Sequence, residues 1–166
     1  ARRGARMALA VTGGGGLALL AGILIIGNIV GSFELDDVLA AGDQIKAHAM
    51  YPVALTLVLL GAFTKSAQFP FHFWLPNAMV APTPVSALLH AVAVVKAGVF
   101  TVMKVSIYIF GEDLLNATPG REFVLWVACF TIIVASLVAM TKDNLKARLA
   151  YSTIAQLSYI TLGAML

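Results

Sequence analysis

Charge is what this 166-residue sequence has least of: 11% of its residues are Asp, Glu, Lys or Arg, against about 25% in an ordinary soluble domain. So few charged side chains cannot cover the surface of a soluble domain of this size. That excludes a soluble enzyme, a disordered chain and a nucleic-acid-binding module. The net charge of +3 comes from 11 basic and 8 acidic residues, with no basic stripe among them, so no nucleic-acid partner is expected. Cysteine is scarcer still. Cys129 is the only one, so it has no internal disulfide partner, and it lies within an apolar run. No Cys/His cluster has metal-ligand spacing, so no metal is predicted. Nothing resembles a nucleotide, flavin or iron–sulfur motif, so no cofactor is predicted. The chain lacks an initial methionine and stops inside an apolar segment, so it reads as a fragment of a longer protein.

What the sequence has in abundance is apolar residues, 60% of the total, with a mean hydropathy of +0.92. These predict an integral membrane protein. The apolar segments are approximately 7–30, 47–80 with a break near Pro70, 84–110, 123–140 and 149–166. Each has, or nearly has, the roughly 20 residues that a helix needs to cross a bilayer. Runs such as Phe130-Thr131-Ile132-Ile133-Val134-Ala135 do not alternate, as barrel strands would. The expected fold is therefore an all-α polytopic membrane bundle with one discontinuous helix, residues 1–166 forming a fragment of one transmembrane domain.

Arg2, Arg3 and Arg6 ahead of the first segment invite comparison with a signal peptide, but the apolar run is longer than a signal's 7–15 residues. The Gly13–Gly16 run suits close helix packing or a kink. Loop charge sets the orientation. The ends carrying Arg2, Arg3, Arg6, Lys142, Lys146 and Arg148 fall on one side of a five-helix topology. The loops carrying Glu34, Asp36, Asp37, Asp43, Glu112, Asp113 and Glu122 fall on the other. The basic side is expected in the cytoplasm, with the protein multi-pass in the cell's inner (plasma) membrane. The acidic stretch Glu34–Lys46 is compatible with a short surface helix.

Three ionisable groups interrupt the apolar segments. Lys65 follows fourteen uncharged residues from Tyr51 to Thr64, and Lys96 lies twelve residues, roughly 18 Å of helix, past Pro84. A lysine at the bilayer centre costs about 2.5–3.5 kcal/mol on insertion scales, so its retention points to function or to an ion pair. Lys104 lies nearer a helix end, where its side chain can snorkel. His90 belongs to a residue type that titrates near neutrality. Just after Lys65, Gln68-Phe69-Pro70 and Leu75-Pro76-Asn77 place two prolines close together, and His72 lies between them. Proline removes a backbone donor, and non-helical backbone at membrane depth survives only when buried in protein or lining a wet cavity. Broken helices of this kind mark ion and substrate sites in transporters. His72 either serves such a path or caps the break. Pro84 suits the first turn of the next helix.

Two motifs carry a family resemblance. Lys65-Ser66-Ala67-Gln68-Phe69-Pro70-Phe71-His72-Phe73-Trp74-Leu75-Pro76-Asn77-Ala78-Met79 is followed by Ala81-Pro82-Thr83-Pro84-Val85-Ser86-Ala87-Leu88-Leu89-His90. Together they resemble the signature of antiporter-like membrane subunits: the proton-pumping subunits of respiratory complex I, the L-type especially, and the A and D subunits of Mrp-type cation/proton antiporters. Asp143-Asn144-Leu145-Lys146-Ala147-Arg148-Leu149-Ala150-Tyr151-Ser152-Thr153 resembles the family's second signature. The resemblance implies a larger bundle of two inverted repeats, each with a discontinuous helix. Lys65 matches the family's essential lysine before the first broken helix. His90 and Lys96 match positions on the following helix, and Lys146 matches a basic residue at the second signature. The glutamate partner of the first lysine and the terminal lysine of the second half-channel fall outside this sequence.

The resulting expectation is a proton-translocating subunit of a multisubunit complex, of complex I or Mrp type. Protons would pass through Lys65, His90 and Lys96, with His72 and Lys146 as further proton-transfer groups. The expected partners are other membrane subunits, the lipid bilayer and protons, with sodium as a candidate second ion. The residues alone leave open a stand-alone secondary transporter and a structural membrane subunit with buried ion pairs. Lys96 beside His90 leans toward the Mrp type.

Overall fold

The computed structural model describes residues 2–91, 94–110 and 119–165, which are mostly helical, with no strand among them. Helix α1 spans Arg2–Val30, and the short helices α2 (Leu35–Ala40) and α3 (Gly42–Ala47) follow it. The acidic stretch thus folds as two short helices rather than one, joined at Ala41. Helix α4 spans Tyr51–Ser66, four residues later than the apolar run begins. A single turn at Phe71–Phe73 and helix α5 (Trp74–Ala78) come next. Helices α6 (Thr83–Ala91) and α7 (Val94–Lys104) are followed by a wider π-type turn, Val105–Phe110. Helices α8 (Pro119–Thr141) and α9 (Leu145–Met165) complete the chain. Prolines sit in the first turns of several helices (Pro52, Pro76, Pro84 and Pro119), where the missing N–H costs no helical bond.

Three stretches are long and apolar enough to cross a membrane among the described residues: Arg2–Val30, Tyr51–Ala78 and Arg121–Thr141. Helix α9, at 21 residues, has the length, but polar side chains such as Gln156, Ser158 and Thr161 dilute its apolarity. The stretch predicted as one segment over 84–110 divides between α6, α7 and the π-type turn, with residues 92 and 93 outside the described part. Glu112 and Asp113, assigned above to an acidic loop, also lie outside it.

Helix α4 sits at the centre, with α1 along one side and α7 along another, while α8 packs against α9 and α9 in turn meets α7 and α5. Small residues set the α1–α4 approach. A Cβ on Gly15 would collide with the Thr64 side chain, and one on Gly22 would lie 2.6 Å from the Val58 side chain and 3.2 Å from the Ala54 carbonyl oxygen. Of the Gly13–Gly16 run only Gly15 makes this approach, whereas Gly14 and Gly16 face open space. Gly15→Ala should therefore force the two helices apart and destabilise the protein by about 1–3 kcal/mol, as overpacking does. Gly14→Ala should gain up to about 1 kcal/mol of helix propensity instead. Thermal unfolding of the two purified full-length variants checks this, and a lower Tm for Gly14→Ala than for Gly15→Ala would contradict the assignment.

Two clusters form the interior. One gathers Ile26, Ile45, Tyr51, Leu55, Val58 and Val102 at the start of α4. The other surrounds the end of α4 with Ala67, Trp74, Leu75, Val95, Val99 and Ile154.

Candidate functional site

The second cluster encloses the break that follows α4. The helix stops because Ala67 turns into the left-handed region at φ 55°, a conformation costing an L-residue about 1–2 kcal/mol. Burial holds it there, since Ala67 has no exposed surface and packs beside Trp74 and Leu75. The carbonyls orphaned by the early stop find partners. Phe63 O accepts from the backbone N–H groups of Ala67 and, at 3.2 Å, Gln68. Thr64 O accepts the indole N–H of buried Trp74 at 2.8 Å. The chain reverses through Phe71 N donating to Gln68 O at 2.7 Å. Asn77 Nδ2 donates to Phe73 O at 2.7 Å and steadies the outgoing α5.

Lys65 occupies the last turn of α4, immediately before this break, where the helix end presents its partial negative charge to a cation. Its side chain is half-buried, with no ion pair or side-chain hydrogen bond among the described residues. Helix α7 comes closest here. A Cβ on Gly98 would lie 2.5 Å from Ser66 N, 2.8 Å from Ala62 O and 3.0 Å from Lys65 C.

His72 sits in the turn between α4 and α5, half-buried among aromatic rings. Its ring stacks on Phe69 at 5.6 Å, meets Phe73 edge-on at 6.2 Å and tilts toward Tyr151 at 6.4 Å. Its Nδ1 is buried without a hydrogen-bond partner among the described residues. Tyr151 belongs to the second motif, so the ring contact brings the two motifs together.

Lys96, by contrast, is exposed on α7. It lies two residues, about 200° of helix, from Gly98, so its side chain faces away from the α4 contact. His90 lies in α6, and its side chain falls outside the described residues. Lys146 is half-buried in the first turn of α9, where its N–H donates to Asn144 Oδ1 at 3.0 Å. The structure thus brings the break together with Tyr151 of the second motif. It does not gather Lys65, Lys96 and Lys146 into one cluster. Lys104 is half-buried with its ammonium 5.7 Å from the Phe100 ring centroid, a cation–π distance. No group of three His, Cys, Asp or Glu side chains among the described residues is placed to hold a metal.

Residue reading missed the uncharged polar side chains around the break. Gln68 is fully buried; its Oε1 accepts from Ser158 Oγ at 3.1 Å and its Nε2 donates to Thr161 Oγ1 at 3.3 Å. Phe69 N donates to Thr131 Oγ1 on α8 at 3.1 Å. One signal was available: Ser158 and Thr161 are three residues apart, a spacing that puts both hydroxyls on one face of α9.

A membrane helix bundle with a broken central helix is an architecture shared with antiporter-like membrane subunits. The chain belongs to the NADH:quinone oxidoreductase/Mrp antiporter transmembrane family, whose model matches residues 2–166. It is 52% identical, over 97% of its length, to a Rhizobium meliloti protein named as a probable A/B-type subunit of a K(+)/H(+) antiporter, and spans 16% of that protein. A chain of the Mrp complex from Dietzia is 36% identical, superposing with a TM-score of 0.75 over 98% of this chain and 17% of its own. A chain of the membrane-bound sulfane sulfur reductase, an archaeal respiratory membrane complex, is 25% identical with a TM-score of 0.78, over 95% and 32%.

Proposed function

We propose that the protein is a proton-translocating subunit of an Mrp-type cation/proton antiporter, placed in the cell's inner membrane beside other membrane subunits. One observation carries this reading. A lysine without a counter-ion among the described residues occupies the last turn of a helix that stops inside an apolar stretch, in a chain that matches the family from residue 2 to residue 166. Lysine can hold or release a proton at such a site, which arginine cannot. In this reading Lys65 takes up and gives up the proton at the break, and His72, whose Nδ1 has no hydrogen-bond partner among the described residues, is the neighbouring group able to relay it. His90 and Lys96 carry the proton onward. The exposed side of α7 bearing Lys96 meets further helices of the full protein, and Lys146 serves at the start of the second motif. The basic helix ends face the cytoplasm. The Mrp type is favoured over a respiratory complex because the antiporter relative is 52% identical and the respiratory neighbour 25%.

Everted membrane vesicles test the function. With the full-length protein in its native complex and an imposed acid interior, adding sodium or potassium salt should release protons. Vesicles lacking the protein should not respond. Equal responses from both preparations would refute the proposal.

A further inference from the structure

We infer that Gln68 is the positioning residue for Lys65: its carboxamide fastens the helix break to α9 and thereby sets where the lysine side chain stands. Gln68 has no exposed surface, and both ends of its amide are engaged by one helix, Oε1 by Ser158 and Nε2 by Thr161. Those partners lie 90 and 93 residues away in sequence, so a single side chain spans from the first motif to the helix that carries the second. Thr161 Oγ1 accepts from the amide while its own proton faces Leu157 O at 3.4 Å, so that contact is fixed to α9. Ser158 Oγ has a single proton, which Ile154 O at 2.8 Å and Gln68 Oε1 at 3.1 Å share. The backbone gives Gln68 leverage over position 65. Gln68 N closes the end of α4 on Phe63 O, and Gln68 O accepts from Phe71 N, so both sides of the break are bonded to this one residue.

A glutamine suits this place better than a charged side chain. At membrane depth an amide satisfies a donor and an acceptor without the cost of a buried ion, and an unmatched amide in the same place would be expensive. Loss of the two hydroxyl contacts removes the hydrogen bonds from the break to α9, leaving the His72–Tyr151 ring contact and the packing of Trp74 and Leu75 beside Ile154. The break is then held less tightly, and the Lys65 side chain shifts with it. The consequence for transport rests on the proton-carrying role proposed above for Lys65. The positional claim does not.

The test reads position directly. In the full-length protein in its native membrane, with other reactive thiols removed, a small thiol reagent is applied to Lys65→Cys, with and without Gln68→Leu. The labelling rate should change by at least about threefold when Gln68→Leu is added, and Ser158→Ala with Thr161→Val should reproduce the change. Adding Gln68→Leu to that pair should then have no further effect, because all three substitutions remove one linkage. If Gln68→Leu fails to assemble, the hydroxyl pair alone decides the matter. A change smaller than about threefold in every assembled variant overturns the inference. Transport is read in parallel, in Gln68→Leu with Lys65 intact and in Lys65→Ala. A labelling change accompanied by normal transport in both Gln68→Leu and Lys65→Ala would keep Gln68 as the positioning residue and overturn the proton-carrying role of Lys65.

Discussion

Lys65→Ala should reduce cation-driven proton movement by about 100-fold or more, the scale expected when a proton-transfer group is removed. The assembled complex should persist in the membrane. The reason lies in what Lys65 contributes and what it costs. It stands half-buried at the end of α4 with no ion pair among the described residues, so its removal breaks no salt bridge there. A lysine at membrane depth costs about 2.5–3.5 kcal/mol on insertion scales, so alanine relieves an expense. A structural lysine would behave in the opposite way, with assembly falling first. Lys65→Arg should fail almost as completely, because arginine retains its charge and its proton. Transport by everted vesicles, normalised to the amount of assembled complex, separates these outcomes. Near-normal rates in Lys65→Ala would exclude the lysine from the path.

Gly98 should be nearly as intolerant, although it carries no chemistry. The atoms that a Cβ would meet are backbone: Ser66 N at 2.5 Å, Ala62 O at 2.8 Å and Lys65 C at 3.0 Å. A flexible side chain can swing aside, whereas a helix end cannot, so even Gly98→Ala must displace α7 from α4. We expect Gly98→Ala to cost about 1–3 kcal/mol by overpacking. It should also lower transport about tenfold, because the displacement falls on Lys65, the residue proposed to handle the proton. Gly98→Leu should prevent assembly. Gly163→Ala, where nothing lies within 4 Å, provides the control and should transport as the parent does with no loss of stability. Equal thermal stability and transport for Gly98→Ala and Gly163→Ala would show that the close approach is unimportant.

Much of the architecture was legible because membrane physics leaves few choices. Sparse charge and long apolar runs specify helices, and the prolines after Lys65 announce a discontinuity, which the structure places at Ala67–Phe73. The details that resist reading are those set by packing. Pro70 and Pro76 look equivalent in sequence, yet Pro76 sits comfortably in the first turn of α5, while the helix actually stops at Ala67, before either proline. Nothing local in four successive glycines says which one faces α4; only the docked helices select Gly15. Charged residues draw attention because they are costly, and so Lys65 and Lys96 look alike. The fold separates them, one at the break and the other exposed on the far side of α7. Gln68, Ser158 and Thr161 attract no notice individually, since their importance is in a contact spanning 90 residues.

The central claim is that a titratable amine at position 65 moves the proton, and chemical restoration of that amine tests it most directly. In Lys65→Cys, with other reactive thiols replaced, transport should be lost. Alkylation that appends an aminoethyl group rebuilds a lysine-like primary amine on the sulfur. Modification with a trimethylammonium reagent installs a charge of the same sign that cannot lose a proton. Aminoethylation should restore cation-driven proton movement, and the trimethylammonium adduct should remain inactive at equal modification. Equal recovery by both adducts would show that position 65 needs only a positive charge, and would contradict the account.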